Sequence, residues 1–221
     1  MTVRDTIRGF YAVLDREDLT LANALLAGGA RVLQLRIKRS PPAATSELIR
    51  IAKLVRSICH EAGAALIIND RIDVALAVGA DGVHLGQTDV PLADARRIAG
   101  ERLWIGISTH DPAQVAAARD GGADYLGYGP VFATRTKLNP DPVQGIAALR
   151  TAVAEAGTLP IVAIGGITPE LVADVYAAGA AAACAISSVN DAPDVTAAAR
   201  RMAPRFGSSA QSMEIASKLQ T

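Results

Sequence analysis

Polar side chains suited to binding an anion or a metal follow several short apolar runs of this sequence. Gln34, Arg36 and Lys38 are spaced by two, so an extended chain would project all three to the same side. Asp70 and Asp89 each stand shortly after another apolar run. Further hydrogen-bonding or charged residues come close behind other runs, namely Asn69, Ser108, Thr134, Thr136, Lys137 and Ser187. If folding brings these run ends together, the sequence predicts an anion-binding site.

The two carboxylates and the cations suit a magnesium–diphosphate complex. Mg²⁺ takes one or two carboxylates plus phosphate oxygens and keeps some waters, which makes Asp70 and Asp89 the candidate metal ligands. Arg36, Lys38 and Lys137 would neutralise the remaining phosphate charge. Singly, such cations are usually solvated, and Asp70 could instead cap a helix that begins near it. The interpretation therefore depends on the fold bringing all of these residues together at one edge of the molecule, which we call the rim.

The elements that must position these residues are marked by a recurring Gly-Ala step. Ala-rich stretches end in Gly-Ala and are followed by apolar and β-branched residues, with the glycines at Gly29, Gly63, Gly79, Gly122 and Gly179. A glycine accepts the left-handed conformation that ends a helix. The repeating unit is therefore predicted to be helix, glycine, strand.

Eight apolar runs are predicted to be strands: 11–14, 32–36, 65–68, 82–85, 104–107, 125–127, 161–164 and 182–186. Strands that alternate with helices pair in parallel through right-handed crossovers. We expect an α/β protein with a single (β/α)₈ TIM barrel, because closure removes both edges of the sheet. An open doubly wound sheet is the alternative, although no strand is followed by the glycine fingerprint of a dinucleotide fold.

A barrel would also bring together two later turns as a second anion site. These are Gly165-Gly166-Ile167 and Ala185-Ile186-Ser187-Ser188. Phosphates in such barrels commonly rest on backbone N–H groups after strands seven and eight. Gly165-Gly166 could also be a tight turn without a ligand.

The totals restrict domains, partners and compartment. The 221 residues fit one catalytic barrel over 1–206 and leave 207–221 as a loosely held tail. The 22 basic and 22 acidic residues cancel, which argues against nucleic acid or an anionic membrane as partner. No signal peptide or run of about 20 apolar residues is seen, and two cysteines suggest no disulfide framework. We expect a cytoplasmic protein that binds small molecules, and a homo-oligomer is left open.

Six segments carry a resemblance to a known family over about residues 10–190. They are Gln34-Leu35-Arg36-Ile37-Lys38, Ile68-Asn69-Asp70-Arg71, Gly82-Val83-His84-Leu85-Gly86-Gln87 with Asp89, Gly106-Ile107-Ser108-Thr109-His110, Gly129-Pro130-Val131-Phe132 with Thr134, Thr136 and Lys137, and Ala163-Ile164-Gly165-Gly166-Ile167. Each segment alone is weak, but in this order they resemble thiamine phosphate synthase.

The resemblance implies a Mg²⁺-dependent transferase. It would condense 4-amino-2-methyl-5-hydroxymethylpyrimidine diphosphate with a thiazole phosphate and release diphosphate. Positions that contact the pyrimidine diphosphate would be Gln34, Arg36, Lys38, Asn69, Ser108 and Lys137, with Arg36, Lys38, Ser108 and Lys137 acting in catalysis. Thiazole phosphate contacts would be Thr134, Thr136, Gly166, Ile186 and Ser187. The metal ligands would be Asp70 and Asp89.

Two positions depart from the family pattern, and two other functions stay open. Ile37 stands where an acidic residue is frequent and Leu14 where a threonine is frequent; alternation should point Ile37 away from the rim. A thiazole tautomerase would share the fold but would not need the diphosphate cations. A non-catalytic sensor of phosphorylated ligands is the alternative outside enzymes. A serine nucleophile is not favoured, because no histidine is placed in sequence as an obvious base for Ser108.

Overall fold

The eight predicted apolar runs form the eight strands of a closed parallel barrel. The computed structural model describes residues 2–39, 41–134 and 142–203. The strands are β1 (Gly9–Leu14), β2 (Val32–Leu35), β3 (Ala65–Asn69), β4 (Gly82–Leu85), β5 (Trp104–Thr109), β6 (Tyr125–Tyr128), β7 (Ile161–Ile164) and β8 (Ala182–Ala185). Each strand pairs with the next, and β8 pairs with β1 through Gly9 opposite Ala182. The barrel prediction is confirmed, and the open-sheet alternative is wrong.

Helices connect the strands and surround the barrel. They are α1 (Val3–Thr6), α2 (Leu19–Ala27), α3 (Thr45–Glu61), α4 (Ile72–Val78), α5 (Leu92–Ala99), α6 (Pro112–Asp120), α7 (Gly145–Ala156), α8 (Val172–Ala177), α9 (Ser187–Asn190) and α10 (Val195–Met202). Within the described ranges, none of these helices is long and apolar enough to cross a bilayer. The predicted tail, 207–221, lies outside the described residues.

The Gly-Ala step ends its helix by one repeated hydrogen-bond pattern. All five predicted glycines have positive φ, between 64° and 98°. At Gly63, for example, the glycine N–H donates to the His60 carbonyl, and the Ala64 N–H donates to the Cys59 carbonyl. This pair of bonds is the Schellman arrangement, which satisfies the last carbonyls of a helix and turns the chain into a strand. The local interpretation of the sequence is therefore confirmed.

Two apolar layers hold the fold together. The larger lies between the strands and the helices and contains Leu33, Leu66 and Leu126. The smaller fills the barrel interior and contains Tyr11, Tyr125 and other residues of the strands' inner face. Ile7, directly after α1, is fully buried in this inner cluster, so the N-terminal segment packs onto the barrel core. Strand alternation between these layers decides which side chains reach the barrel mouth.

Two strands end earlier than predicted. β2 ends at Leu35 rather than at Arg36, and β8 ends at Ala185 rather than at Ile186. The Arg36 N–H still donates to the Leu14 carbonyl at 2.9 Å, so the inward alternation continues for one residue past β2. Ile37 packs against the outer apolar layer, as predicted for a side chain pointing away from the rim.

Candidate active site

A cavity of about 810 Å³ opens at the carboxyl ends of the strands, and every strand contributes to its wall. This volume lies within the range usual for small-molecule sites. Eleven of the thirteen predicted site residues line it: Gln34, Arg36, Lys38, Asn69, Asp70, Asp89, Ser108, Thr134, Gly166, Ile186 and Ser187. The other two, Thr136 and Lys137, lie outside the described residues. Six distant segments therefore do meet at one mouth.

The cations on one side of the cavity differ in their partners. Lys38 Nζ lies 3.1 Å from Asp70 Oδ2, in an ion pair whose lysine side chain is 56% exposed. Such an exposed pair contributes little to stability, so the lysine is available to another anion at small cost. Arg36 makes no ion pair with any residue in the described part of the chain, although its side chain lines the cavity. An arginine held at a cavity wall without a carboxylate partner is suited to an anionic ligand.

Asp70 is held at the cavity by the backbone and does not cap a helix. Its φ of 62° is the only positive value among the described non-glycine residues. Its N–H donates to the His84 carbonyl at 2.9 Å, which anchors the residue between β3 and β4. The N-cap of α4 is Arg71, with no side-chain capping bond, so the structural alternative for Asp70 is wrong. A strained backbone at a cavity wall is typical of a functional position.

Asp89 forms a carboxylate pair with Asp70. The turn after β4 places Asp89 so that its Oδ2 accepts the Gly86 N–H at 2.7 Å. Burial raises the pKa of Asp89, the neighbouring Asp70 raises it further, and the Gly86 N–H and Lys38 oppose the shift. A divalent cation between the two carboxylates would relieve the unfavourable charge at Asp89.

The chemistry of this donor set fits magnesium rather than a metal held by protein alone. In the described part of the chain, no group of three or more His, Cys, Asp or Glu residues is placed to hold a metal ion. Mg²⁺ is commonly bound through one or two carboxylates, with waters and substrate phosphate as the other ligands. Asp70 and Asp89 supply two such carboxylates beside the cations.

The opposite side of the cavity is built from the turns after β7 and β8. Gly165 and Gly166 have φ of 98° and 64°, and a Cβ on Gly166 would lie 2.8 Å from Cβ of Phe132. Both the positive φ values and the close neighbours of Gly166 therefore require glycine here. The N–H groups of Ser187 and Ser188, at the start of α9, have no backbone acceptor among the described residues. Free N–H groups beside a glycine turn suit a phosphate.

The cavity floor contains a chain of hydrogen bonds that sequence reasoning missed. Gln34 Nε2 donates to the Tyr11 hydroxyl at 2.8 Å, and the Tyr11 and Tyr125 hydroxyls lie 3.0 Å apart. Tyr125 Oη lies 3.2 Å from His84 Nδ1, and His84 Nε2 lies 2.9 Å from Ser108 Oγ. The fold therefore brings His84 to Ser108, a contact that the spacing of the two residues in the sequence did not indicate. Alternation along a strand indicates that Tyr125 and Gly127 lie on the same face of β6. The sequence alone does not tell whether that face points into the barrel.

His84 is partly buried inside the barrel, where its imidazole lines the cavity. Burial lowers its pKa to about 4; Asp89 opposes this shift and Arg36 adds to it. The imidazole is therefore neutral at neutral pH. Ser108 does not cap α6 either, because the capping side chain of that helix is Asp111, whose carboxylate accepts the Gln114 N–H.

Taken together, these features define a class of protein: a (β/α)₈ barrel whose mouth is arranged for phosphorylated small molecules. One side carries cations and a carboxylate pair, and the other carries glycine turns with N–H groups that have no backbone acceptor among the described residues. A chain of hydrogen-bonded side chains forms the floor between them.

Comparisons with known proteins identify the family. The family model described as thiamine monophosphate synthase matches residues 10–189. A thiamine-phosphate synthase of Methanospirillum hungatei is 44% identical over 201 residues, covering 88% of this chain and 96% of its own. A thiamine-phosphate synthase of Methanoculleus marisnigri is 48% identical over 191 residues, covering 86% and 89%. The solved thiamine phosphate pyrophosphorylase of Pyrococcus furiosus superposes with a TM-score of 0.82 at 37% identity, covering 91% and 96%. The chain belongs to the thiamine monophosphate synthase family.

Proposed function

We propose that this chain makes thiamine phosphate from a pyrimidine diphosphate and a thiazole phosphate, with Mg²⁺ bound by Asp70 and Asp89. The observation that carries the proposal is the meeting of Arg36, Lys38 and this carboxylate pair at one cavity mouth in a member of the family. The related proteins described above are named as synthases, so neither the tautomerase nor the sensor alternative gains support.

The reaction needs one bond to break and one to form at the exocyclic CH₂ of the pyrimidine. The C–O bond breaks and its electron pair leaves with the diphosphate, while the thiazole nitrogen supplies the pair for the new C–N bond. No protein nucleophile is required. The electron-rich aminopyrimidine can share positive charge at the CH₂, so we propose a dissociative substitution.

The chain's residues would stabilise the charge that develops and hold the two reactants in line. Arg36 and Lys38, with Lys137, would bind the departing diphosphate through charge-assisted hydrogen bonds. Mg²⁺, when bound, would neutralise part of the same charge. Gln34, Asn69 and Ser108 line the floor where a pyrimidine ring would rest.

The thiazole phosphate would bind on the opposite side of the cavity. Its phosphate would accept hydrogen bonds from the backbone N–H groups of Ser187 and Ser188 and approach Gly166, where no side chain intervenes. Thr134 and Ile186 line the same part of the wall, and Thr136 is proposed from the resemblance alone. Holding the nitrogen in line with the CH₂ lowers the entropic part of the barrier.

We also propose that the chain works in the cytoplasm on small molecules, without nucleic acid. The balanced charge and two buried free cysteines support this proposal. A homo-oligomer stays a prediction, which light scattering of the purified protein tests.

The test of the function is a two-substrate assay of diphosphate release and thiamine phosphate formation, with Mg²⁺ present and with EDTA. Product should form only with both substrates and with metal. Arg36→Ala and Lys137→Ala should each lower turnover by about 10² to 10³, the usual effect of losing one donor to developing charge. Asp70→Ala should cost more, because the metal would lose a direct ligand.

The matched control is Arg97→Ala, which removes an arginine whose side chain is 79% exposed. Its turnover should equal that of the unmodified chain. Near-normal turnover of both Arg36→Ala and Lys137→Ala, or an unchanged magnesium dependence in Asp70→Ala, would refute the assignment of these residues.

A further inference from the structure

The chain of hydrogen bonds under the cavity has a direction, which follows from counting its protons. The Gln34 amide donates to the Tyr11 hydroxyl, so the Tyr11 proton needs an acceptor of its own. Tyr11 is 2% exposed, and its other hydrogen-bond partner within the described ranges is Tyr125 Oη. Because a buried hydroxyl proton without an acceptor is costly, Tyr11 donates to Tyr125.

The same count decides the state of the imidazole. Since Tyr125 accepts from Tyr11, its own proton goes to its remaining partner, Nδ1 of His84. A neutral imidazole that accepts at Nδ1 carries its hydrogen on Nε2, and Nε2 lies 2.9 Å from Ser108 Oγ. An imidazolium, or the opposite tautomer, would donate from Nδ1 and leave one tyrosine proton buried without an acceptor. His84 therefore donates to Ser108.

This direction leaves the hydroxyl proton of Ser108 free to be donated elsewhere. Ser108 Oγ already accepts from His84, and its side chain lines the cavity. In a serine–histidine pair used for nucleophilic attack the proton would point the opposite way, from the hydroxyl to the imidazole. The arrangement at Ser108 is therefore suited to donating a hydrogen bond to a ligand.

Two glycines show that the barrel interior is shaped around this chain. A Cβ on Gly106 of β5 would overlap the Tyr125 ring and would lie 2.5 Å from its hydroxyl oxygen. A Cβ on Gly127 of β6 would lie 3.0 Å from Cε1 of His84. Neither glycine has a positive φ, so the backbone itself does not demand glycine at either position. The space that each ring occupies is the physical reason for its facing glycine.

We propose that Tyr11, Tyr125 and His84 are positioning residues that act through Ser108. They hold the imidazole in the tautomer with hydrogen on Nε2, so that the Ser108 hydroxyl donates to an acceptor atom of the bound pyrimidine ring. The role in substrate binding rests on the proposed function, whereas the tautomer is a property of the protein alone. A ring fixed in this way presents its CH₂ towards the cations in one orientation.

The first test is the ¹⁵N NMR spectrum of the unmodified protein without substrate, labelled at its three histidines. His84→Gln assigns the signal by its disappearance. At neutral pH, Nδ1 of His84 should be unprotonated and Nε2 protonated. A proton on Nδ1 with none on Nε2 would overturn the proposal, and this measurement requires no other variant to fold.

The second test is Tyr125→Phe, which removes the donor to Nδ1 and keeps the ring. The tautomer signal should change to a mixture, and kcat/KM for the pyrimidine substrate should fall about tenfold, the equivalent of one hydrogen bond. The KM for the thiazole phosphate should not change. The matched control is Tyr176→Phe, whose hydroxyl donates to the Met202 carbonyl at 2.8 Å in the outer layer. It loses a comparable partly buried hydrogen bond and should leave the tautomer and both kinetic constants unchanged.

A double-mutant cycle separates positioning from general loosening of the barrel. If Tyr125 acts through Ser108, then Tyr125→Phe should have almost no further effect in a Ser108→Ala background. Additive losses would overturn the proposal. A failure of the synthase assay in the unmodified chain is distinguishable, because it would refute the proposed function while the substrate-free NMR result remained as expected.

Discussion

Gly106 and Gly127 offer a graded perturbation of the cavity floor by a single methyl group each. Gly106→Ala would place a Cβ 2.1 Å from Cζ of Tyr125, a side chain that is fully buried and cannot swing into solvent. Overpacking of a filled core usually costs about 1 to 3 kcal/mol, and this overlap belongs at the upper end. Replacing glycine by alanine returns about 0.4 to 1 kcal/mol through the unfolded chain. We therefore expect a net loss of about 2 kcal/mol.

Gly127→Ala should behave differently because its overlap is small. The new Cβ would lie 3.0 Å from Cε1 and 3.3 Å from Nε2 of His84, so the imidazole needs to move by only a few tenths of an ångström. The stability cost should be below about 1 kcal/mol once the gain through the unfolded chain is included. The movement displaces Nε2 of His84, the atom that contacts Ser108. Turnover should therefore fall even though the free energy of unfolding changes little.

Thermal unfolding and steady-state kinetics of the two variants provide the assay. For a chain of this size, about 2 kcal/mol corresponds to a fall in Tm of about 4 to 8 °C. Gly106→Ala should show that fall together with a loss of activity, while Gly127→Ala should keep its Tm within about 4 °C. The reasoning is refuted if Gly106→Ala is as stable and as active as the unmodified chain, because Tyr125 would then not occupy the position on which the floor depends.

Two further predictions concern pH and charge at the site. The raised pKa of Asp89 means that its proton binds more tightly in the folded state, so the stability it contributes is present at low pH and is lost as pH rises through the folded pKa. Asp89→Asn should therefore raise the free energy of unfolding at pH 7 in EDTA, by less than about 1 kcal/mol because the carboxylate is only partly buried. Synthase activity should fall, and a lower free energy of unfolding would contradict this reasoning. The lowered pKa of His84, about 4 against an ordinary 6.5, has the opposite sign: the unfolded chain takes up the proton first, so stability is lost as pH falls from 6.5 towards 4. Between pH 6.5 and pH 4, the free energy of unfolding of His84→Gln should therefore fall less than that of the unmodified chain, by at most about 3 kcal/mol. Urea unfolding at several pH values measures both falls, and equal falls would show that His84 does not stay neutral.

The sequence predicts the strands well because each depends on local chemistry. Apolar runs of four to six residues between helices can be buried only as parallel strands, and Gly63 and its equivalents stop each helix by a conformation that other residues avoid. The sequence does not define where β2 and β8 end. Arg36 and Ile186 continue the alternation beyond the last paired residue, and only the neighbouring strand decides where pairing stops.

The charged residues of the candidate site could be predicted from the sequence, because they stand out after apolar runs. Arg36, Lys38, Asp70 and Asp89 are conspicuous after apolar runs, and the family resemblance, which the family model confirms, added the uncharged positions. The roles assigned to these residues stay predictions. Tyr11 and Tyr125 could not be identified in the same way, because an aromatic residue in a strand fits either apolar layer equally well.

By itself, the sequence determined the order of helices and strands, the family, and which charged residues stand at strand ends. These properties depend on neighbours within a few positions or on motifs read along the chain. Only the tertiary structure decided that the carboxylates of Asp70 and Asp89 interact with each other. It also decided that the Tyr11 hydroxyl contacts the hydroxyl of Tyr125, 114 positions away in the chain. Closure of the barrel turns alternate side chains from eight separate strands towards one axis, and contacts across that axis have no signature in any single strand.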